Sequence, residues 1–213
     1  SIIPHVCVLD AALTIGLPPE ITAATGMDAL CHAVEAYTNS TYNTGIENDM
    51  AREAVRLIYH NLYNAYEDGR NIEARRNMQK AAFYAGRAFT RGCVGYVHAL
   101  GHGVGSLYGI PHGRAMAVIL PQVMSAYGEA AYSRLSELAD VCGISNGDKA
   151  SAFIGWIEEL NEKMGIPKSF DCIRTEDVAT IAEWADSEAN PLYPVPKVFN
   201  RAELAELIKE RLL

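Results

Sequence analysis

Five residues of metal-ligand type fall at spacings that could do chemistry. Asp28 and His32 are four apart, His98 and His102 are four apart, and His112 follows ten residues later. Residues four apart on a helix project from one face, so each pair would offer two donors to the same side. Pro111, just before His112, marks a helix start, where proline is tolerated as an early residue. Imidazole and carboxylate donors together suit a divalent first-row transition metal, whereas magnesium or calcium would call for more oxygens. Such an ion acts as a Lewis acid at a substrate oxygen. Spacing alone leaves a second reading open, in which these are hydrogen-bonded structural histidines of a metal-free helical interaction module. Two features of context favour a site. Asp28 lies in the largely apolar stretch from Gly26 to Val34, where a buried carboxylate is costly unless it is paired or metal-bound. The window 92–113 holds Gly92, Gly95, Gly101, Gly103, Gly105, Gly109 and Gly113. Several of these fall inside an expected helix at a cost of about 1 kcal/mol each, which implies that something bulky approaches the backbone. Cys31 and Cys93 lie near the two motifs and offer thiolates, but the histidines are better spaced. His5 and His60 read as structural.

The elements that must position these residues are almost all helices. Thr22 to Thr38 is an uninterrupted run of good helix formers. Apolar residues at Ala51, Ala54, Val55, Ile58, Leu62 and Ala65 set a second helix over Asn48–Tyr66, ended by Asp68-Gly69. A third, Ile72–Phe89, carries Ala81, Ala82, Ala85 and Ala88, small enough for close packing. Further helices are expected over 96–107, 112–126, 129–141, 148–163, 175–186 and 201–212, with Asp148, Thr175 and Asn200 at or near N-cap positions. Pro191, Pro194 and Pro196 make an extended connector. The opening run from Ile2 to Asp10 reads as a short strand without a partner. No G-x-G-x-x-G fingerprint or P-loop occurs.

The chain has 213 residues and a net charge of −8. It shows no basic cluster of the kind that phosphate backbones require, which argues against nucleic-acid binding. No apolar run approaches the roughly 20 residues of a membrane helix, and the opening does not read as a signal peptide. Five scattered cysteines without a C-x-x-C pair suit free thiols in a reducing cytoplasm.

The two ligand-bearing stretches resemble the iron-containing alcohol dehydrogenase family. The first runs from Leu17-Pro18-Pro19 through Thr25-Gly26-Met27-Asp28-Ala29-Leu30-Cys31-His32 to Glu35-Ala36-Tyr37. The second runs from Val97-His98-Ala99-Leu100-Gly101-His102 through Pro111-His112-Gly113 to Leu120-Pro121. Asn190-Pro191 before a terminal helix is a weaker third match. The resemblance implies that Asp28, His32, His98 and His112 bind the metal, Fe(2+) foremost and Zn(2+) as the alternative. It implies that His102 is not a ligand but lies near nicotinamide and substrate, as a catalytic and cofactor-binding residue.

It also implies an all-α, bundle-like C-terminal domain of a two-domain dehydrogenase. Residues 16–213 would be that domain, and residues 1–15 the end of a nucleotide-binding domain and its linker. NAD or NADP would bind through that N-terminal domain, so the chain by itself is expected to be inactive. A small alcohol or aldehyde is the implied substrate, and a homo-oligomer the implied full-length assembly. A zinc-dependent polyol dehydrogenase and a lyase resembling dehydroquinate synthase share the architecture and stand as alternatives. Two departures from the family pattern bear on substrate fit or packing: Ala115-Met116 where many members have Ala-Asn, and Thr90-Arg91-Gly92-Cys93 where Ser-Asn-Ala is commoner.

Overall fold

The computed structural model describes residues 5–39 and 41–213. A 3-10 turn, Ala11–Thr14, precedes nine α-helices among these residues. They are α1 (Pro19–Thr38), α2 (Gly45–Glu67), α3 (Ile72–Gly92), α4 (Tyr96–Tyr108), α5 (His112–Tyr127), α6 (Glu129–Cys142), α7 (Lys149–Lys163), α8 (Val178–Ala189) and α9 (Arg201–Arg211). The expected all-α architecture is present. The expected opening strand is not formed: residues 6–10 are exposed and belong to no strand, as a strand lacking a neighbour to bond must be. Residues 2–4 of that segment lie outside the described residues.

α1 is the axis of the molecule. Met27, Leu30, Ala33, Val34 and Tyr37 are buried along it, and it packs against α2, α3 and α5. A helix buried on most sides needs apolar residues nearly all round, which the sequence supplies. α2 and α3 pair closely, with Ala81, Ala85 and Ala88 at 0% exposure; Ala82, grouped with them in the sequence reading, faces outward. Arg75 is buried and holds the start of α1 against the α2–α3 turn. Its guanidinium donates to Gly69 O (3.0 Å), Leu17 O (3.0 Å) and Thr22 Oγ1 (2.6 Å).

Asp148 and Asn200 cap their helices through side-chain oxygens. Thr175 does not; it opens a 3-10 turn, Thr175–Asp177, and α8 begins after it without a side-chain cap. α5 runs through Pro121. Proline has no N–H for the carbonyl four residues back, and that carbonyl, Ala117 O, accepts instead from Asn161 Nδ2 of α7 at 2.7 Å.

Candidate metal centre

The first pair of donors is carried by α1. Asp28 and His32 are one turn apart on the side that faces His98 of α4 and His112 of α5. His98 is the third residue of α4 and His112 the first residue of α5. The α4–α5 connection is only Gly109-Ile110-Pro111, with Gly109 at φ +66° closing α4, a left-handed position that glycine adopts without penalty. This tight reversal returns His112 to the vicinity of His98, with ring centroids 5.5 Å apart.

The four side chains converge on Asp28 Oδ1. It lies 3.3 Å from His112 Nε2, 3.6 Å from His98 Nε2 and 4.0 Å from His32 Nε2. Donor atoms of Asp28, His32 and His98 all fall within 4.8 Å of one another. Two of the atoms at the focus, Asp28 Oδ1 and His98 Nε2, are buried and have no hydrogen-bond partner. A buried polar atom left without a partner is costly, and two such atoms facing each other fit a cation between them. The set of imidazole nitrogens and one carboxylate suits a first-row divalent metal.

The surroundings fix the rings. His32 is stacked between Phe89 (4.3 Å) and His98 (4.7 Å). His98, 4% exposed in its side chain, has its Nδ1 2.5 Å from Glu35 Oε2. Burial alone would lower the His98 pKa, but the Glu35 and Asp28 carboxylates outweigh it and raise it to about 9. Burial also works against the charged form of Asp28, yet the three histidines around it hold its carboxyl below the usual range. His32 and His112 are pushed down by burial despite Asp28 nearby, so both favour the neutral form that donates a lone pair.

His102 is brought to the same place but with different partners. Its ring stacks on His112 at 5.3 Å, and its Nδ1 is 2.9 Å from Glu188 Oε1 of α8. The donor group within 4.8 Å comprises Asp28, His32 and His98 and includes neither His102 nor His112; His112 reaches Asp28 Oδ1 at 3.3 Å, whereas the polar partner of His102 is Glu188. Glu188 Oε1 also accepts from Tyr193 Oη at 2.9 Å. The cysteines stay outside the cluster: Cys31 Sγ faces Met116 O on α5, and Cys93 Sγ faces Arg91 O. His5 and His60 are exposed and stand apart from the cluster.

The bulky groups that approach the glycine window are parts of the protein. A Cβ on Gly101 would strike the Met116 side chain, and one on Gly113 would strike the Ala24 carbonyl. Sequence reasoning assigned no role to Glu35 or Glu188. Glu35 was detectable, because it lies seven residues beyond Asp28 and three beyond His32, on the same helical face. Glu188 reaches His102 from a distant helix and leaves no local signal.

A sequence profile of the C-terminal part of the Fe-containing alcohol dehydrogenase family matches residues 22–212. Alcohol dehydrogenase 4 of Saccharomyces cerevisiae is 39% identical over 214 residues, covering 99% of this chain and 55% of that protein. A crystal structure of 1,3-propanediol oxidoreductase superposes with a TM-score of 0.88 at 38% identity, over 94% of this chain and 54% of that one. Sulfoacetaldehyde reductase from Bifidobacterium kashiwanohense, solved in complex with NAD+, superposes with a TM-score of 0.86 at 29% identity, over 97% of this chain and 54% of the other. The chain thus spans about half the length of the relatives it matches. Profile, relatives and superposition agree that the chain belongs to the iron-containing alcohol dehydrogenase family and carries its C-terminal helical domain.

Proposed function

We propose that this chain is the metal-binding catalytic half of a metal-dependent, NAD(P)-linked alcohol dehydrogenase acting on a small alcohol or aldehyde. In this reading Asp28, His32, His98 and His112 hold Fe(2+). The observation that carries it is the focus at Asp28 Oδ1, where three imidazole Nε2 atoms lie within 4.0 Å and two buried donors lack any partner. The relatives do not favour the zinc polyol-dehydrogenase alternative.

When bound, the metal ion supplies Lewis acidity at the substrate oxygen, and the nicotinamide supplies the hydride acceptor. The chain's own residues do the rest. Three imidazoles and one carboxylate leave a divalent ion a net positive charge, which favours an anionic oxygen beside it. His102 lies next to His112 but is held by Glu188, so it is free to take up the alcohol proton and pass it outward past Glu188 and Tyr193. The NAD+ of the sulfoacetaldehyde reductase supports a nicotinamide dinucleotide as the partner cofactor; in this reading His102 lies beside it.

The test is metal content and steady-state kinetics of His98→Ala and His102→Ala, each in the full-length protein. His98→Ala should lose metal affinity by about 10-fold or more. His102→Ala should keep its metal and lose turnover, by up to roughly 10²–10⁴-fold for a general acid–base. Metal retained in His98→Ala and lost in His102→Ala would reverse the two roles.

A further inference from the structure

Glu35 holds a position that the metal reading leaves unexplained. It is a carboxylate 1% exposed, on α1, and both its oxygens are engaged by α4. Oε1 accepts from the Val97 backbone N–H at 2.8 Å, and Oε2 lies 2.5 Å from His98 Nδ1. The N-cap of α4 is Gly95, which has no side chain to offer. Glu35 therefore caps α4 from another helix, at the end where backbone N–H groups and the helix dipole attract negative charge. Gly95 permits this, because a Cβ there would lie 2.8 Å from Glu35 Oε1.

The same carboxylate decides which way the His98 imidazole is protonated. A carboxylate is an acceptor only, so Nδ1 must carry a proton, and Nε2 is the nitrogen left to give its lone pair to a metal once its own proton is displaced. Nε2 faces Asp28 Oδ1 at 3.6 Å, in the position where both atoms lack partners. We propose that Glu35 is the positioning residue of the metal centre, fixing the His98 tautomer through Nδ1 and adding a second negative charge behind the ligand set. This inference rests on the metal reading above. With Asp28 alone a divalent site carries +1; with Glu35 behind it the whole is neutral.

Glutamine tests the idea sharply. Glu35 accepts two N–H bonds, whereas a glutamine of the same shape has one acceptor oxygen and one donor NH2. In Glu35→Gln, if the oxygen stays on Val97 N–H, the NH2 faces His98 Nδ1 and drives the proton to Nε2, which blocks the metal lone pair. If the amide flips, α4 loses its cap instead.

The experiment is competition for Zn(2+) and, under anaerobic conditions, Fe(2+) against a chromophoric chelator, on the 213-residue chain. It compares wild type, Glu35→Gln, His98→Ala and the double variant. Glu35→Gln should weaken metal binding by about 10- to 100-fold, the range seen when partners behind a ligand are lost. In the His98→Ala background the same change should have little further effect, because Glu35 acts through that ring. Equal affinity of wild type and Glu35→Gln would overturn the inference while leaving the metal reading intact. An equal loss in both backgrounds would also overturn it, since a purely structural role has that signature. No metal bound by wild type would remove the metal reading and this inference together. A second measurement needs no variant: in the Zn(2+)-loaded wild-type chain, ¹⁵N-correlated NMR of the His98 ring should show a protonated Nδ1 and a metal-bound Nε2, and the opposite tautomer would overturn the proposal.

Discussion

Gly113 of α5 lies against the Ala24 carbonyl of α1 with no room for a side-chain carbon between them. A Cβ on Gly113 would fall 2.6 Å from the Ala24 carbonyl carbon and closer still to its oxygen. The atom in the way is backbone, so the helices would have to separate. This contact brings the first turn of α5, and with it His112, up to Asp28. Gly113→Ala is therefore expected to cost about 1–3 kcal/mol by overpacking and to weaken metal binding, because His112 is displaced with the turn. Thermal melts and metal titration of the variant check this; an unchanged melting temperature together with unchanged affinity would mean that α1 and α5 do not meet this closely.

The pairing of His102 with Glu188 leads to a second expectation. Glu188 lies 2.9 Å from His102 Nδ1 and is not among the donors clustered with Asp28. Glu188→Gln should leave metal content unchanged and lower kcat of the full-length protein by about 10-fold. That is less than the loss of the ring itself, for which roughly 10²–10⁴-fold is typical of general acid–base groups. A fall in metal content with kcat per bound metal unchanged would move Glu188 to the metal side of the site.

Which of these relationships could be read from the chain depends on how local they are. The i,i+4 pairs and the Pro111-His112 helix start are local, and the helices place those residues together. Asp148 and Asn200 cap the N–H groups directly ahead of them and were legible for the same reason. Thr175 has the right side chain, but the backbone there winds a 3-10 turn before α8 begins. The helix expected over 112–126 runs through Pro121 as α5, but the group that takes up the Ala117 carbonyl left free by the proline, Asn161 of α7, was not legible locally. The glycine window signalled close approach correctly, yet the approaching groups are Met116 and Ala24, which lie far away in the chain. Glu35 shared a face with Asp28 and His32 and was within reach of helical periodicity; its target on α4 was not.

Cys93 departs from the usual commitments of an L-residue. At φ 56°, ψ −175° it lies beside a region that glycine occupies almost alone, at a cost of about 1–3 kcal/mol for other residues. Its thiol donates to Arg91 O at 3.8 Å, a weak contact. Cys93→Gly should relieve the strain, offset in part by the roughly 0.5–1 kcal/mol of chain entropy that glycine adds to the unfolded state. The net gain of about 1 kcal/mol corresponds to a rise of roughly 2–4 °C in Tm for a chain of this size. A lower Tm for the glycine variant would show that the Cys93 side chain contributes more packing than its contacts indicate.

The remaining thiols give a test of the packing as a whole. Cys7 and Cys172 are exposed, whereas Cys31 and Cys142 are buried. Burial pushes the Cys142 thiol up to about 12 from an ordinary value near 9, against a smaller opposing pull from Arg56, and it raises Cys31 well above that ordinary value too. The thiolate is the reactive form, so at pH 8 iodoacetamide should label Cys7 and Cys172 quickly and leave Cys31 and Cys142 untouched until the chain is denatured. The same shift has a consequence for stability. The folded state keeps the Cys142 proton to a higher pH than the unfolded state does, so its contribution is complete below about pH 9 and declines between there and about 12. Cys142→Ala should flatten that part of the stability profile, read by denaturant melts at pH 8 and pH 10.5 after the exposed thiols are blocked. Rapid labelling of Cys142 at pH 8 in the native state, or a profile in Cys142→Ala as steep as in the parent, would mean that the α6 end is open to solvent.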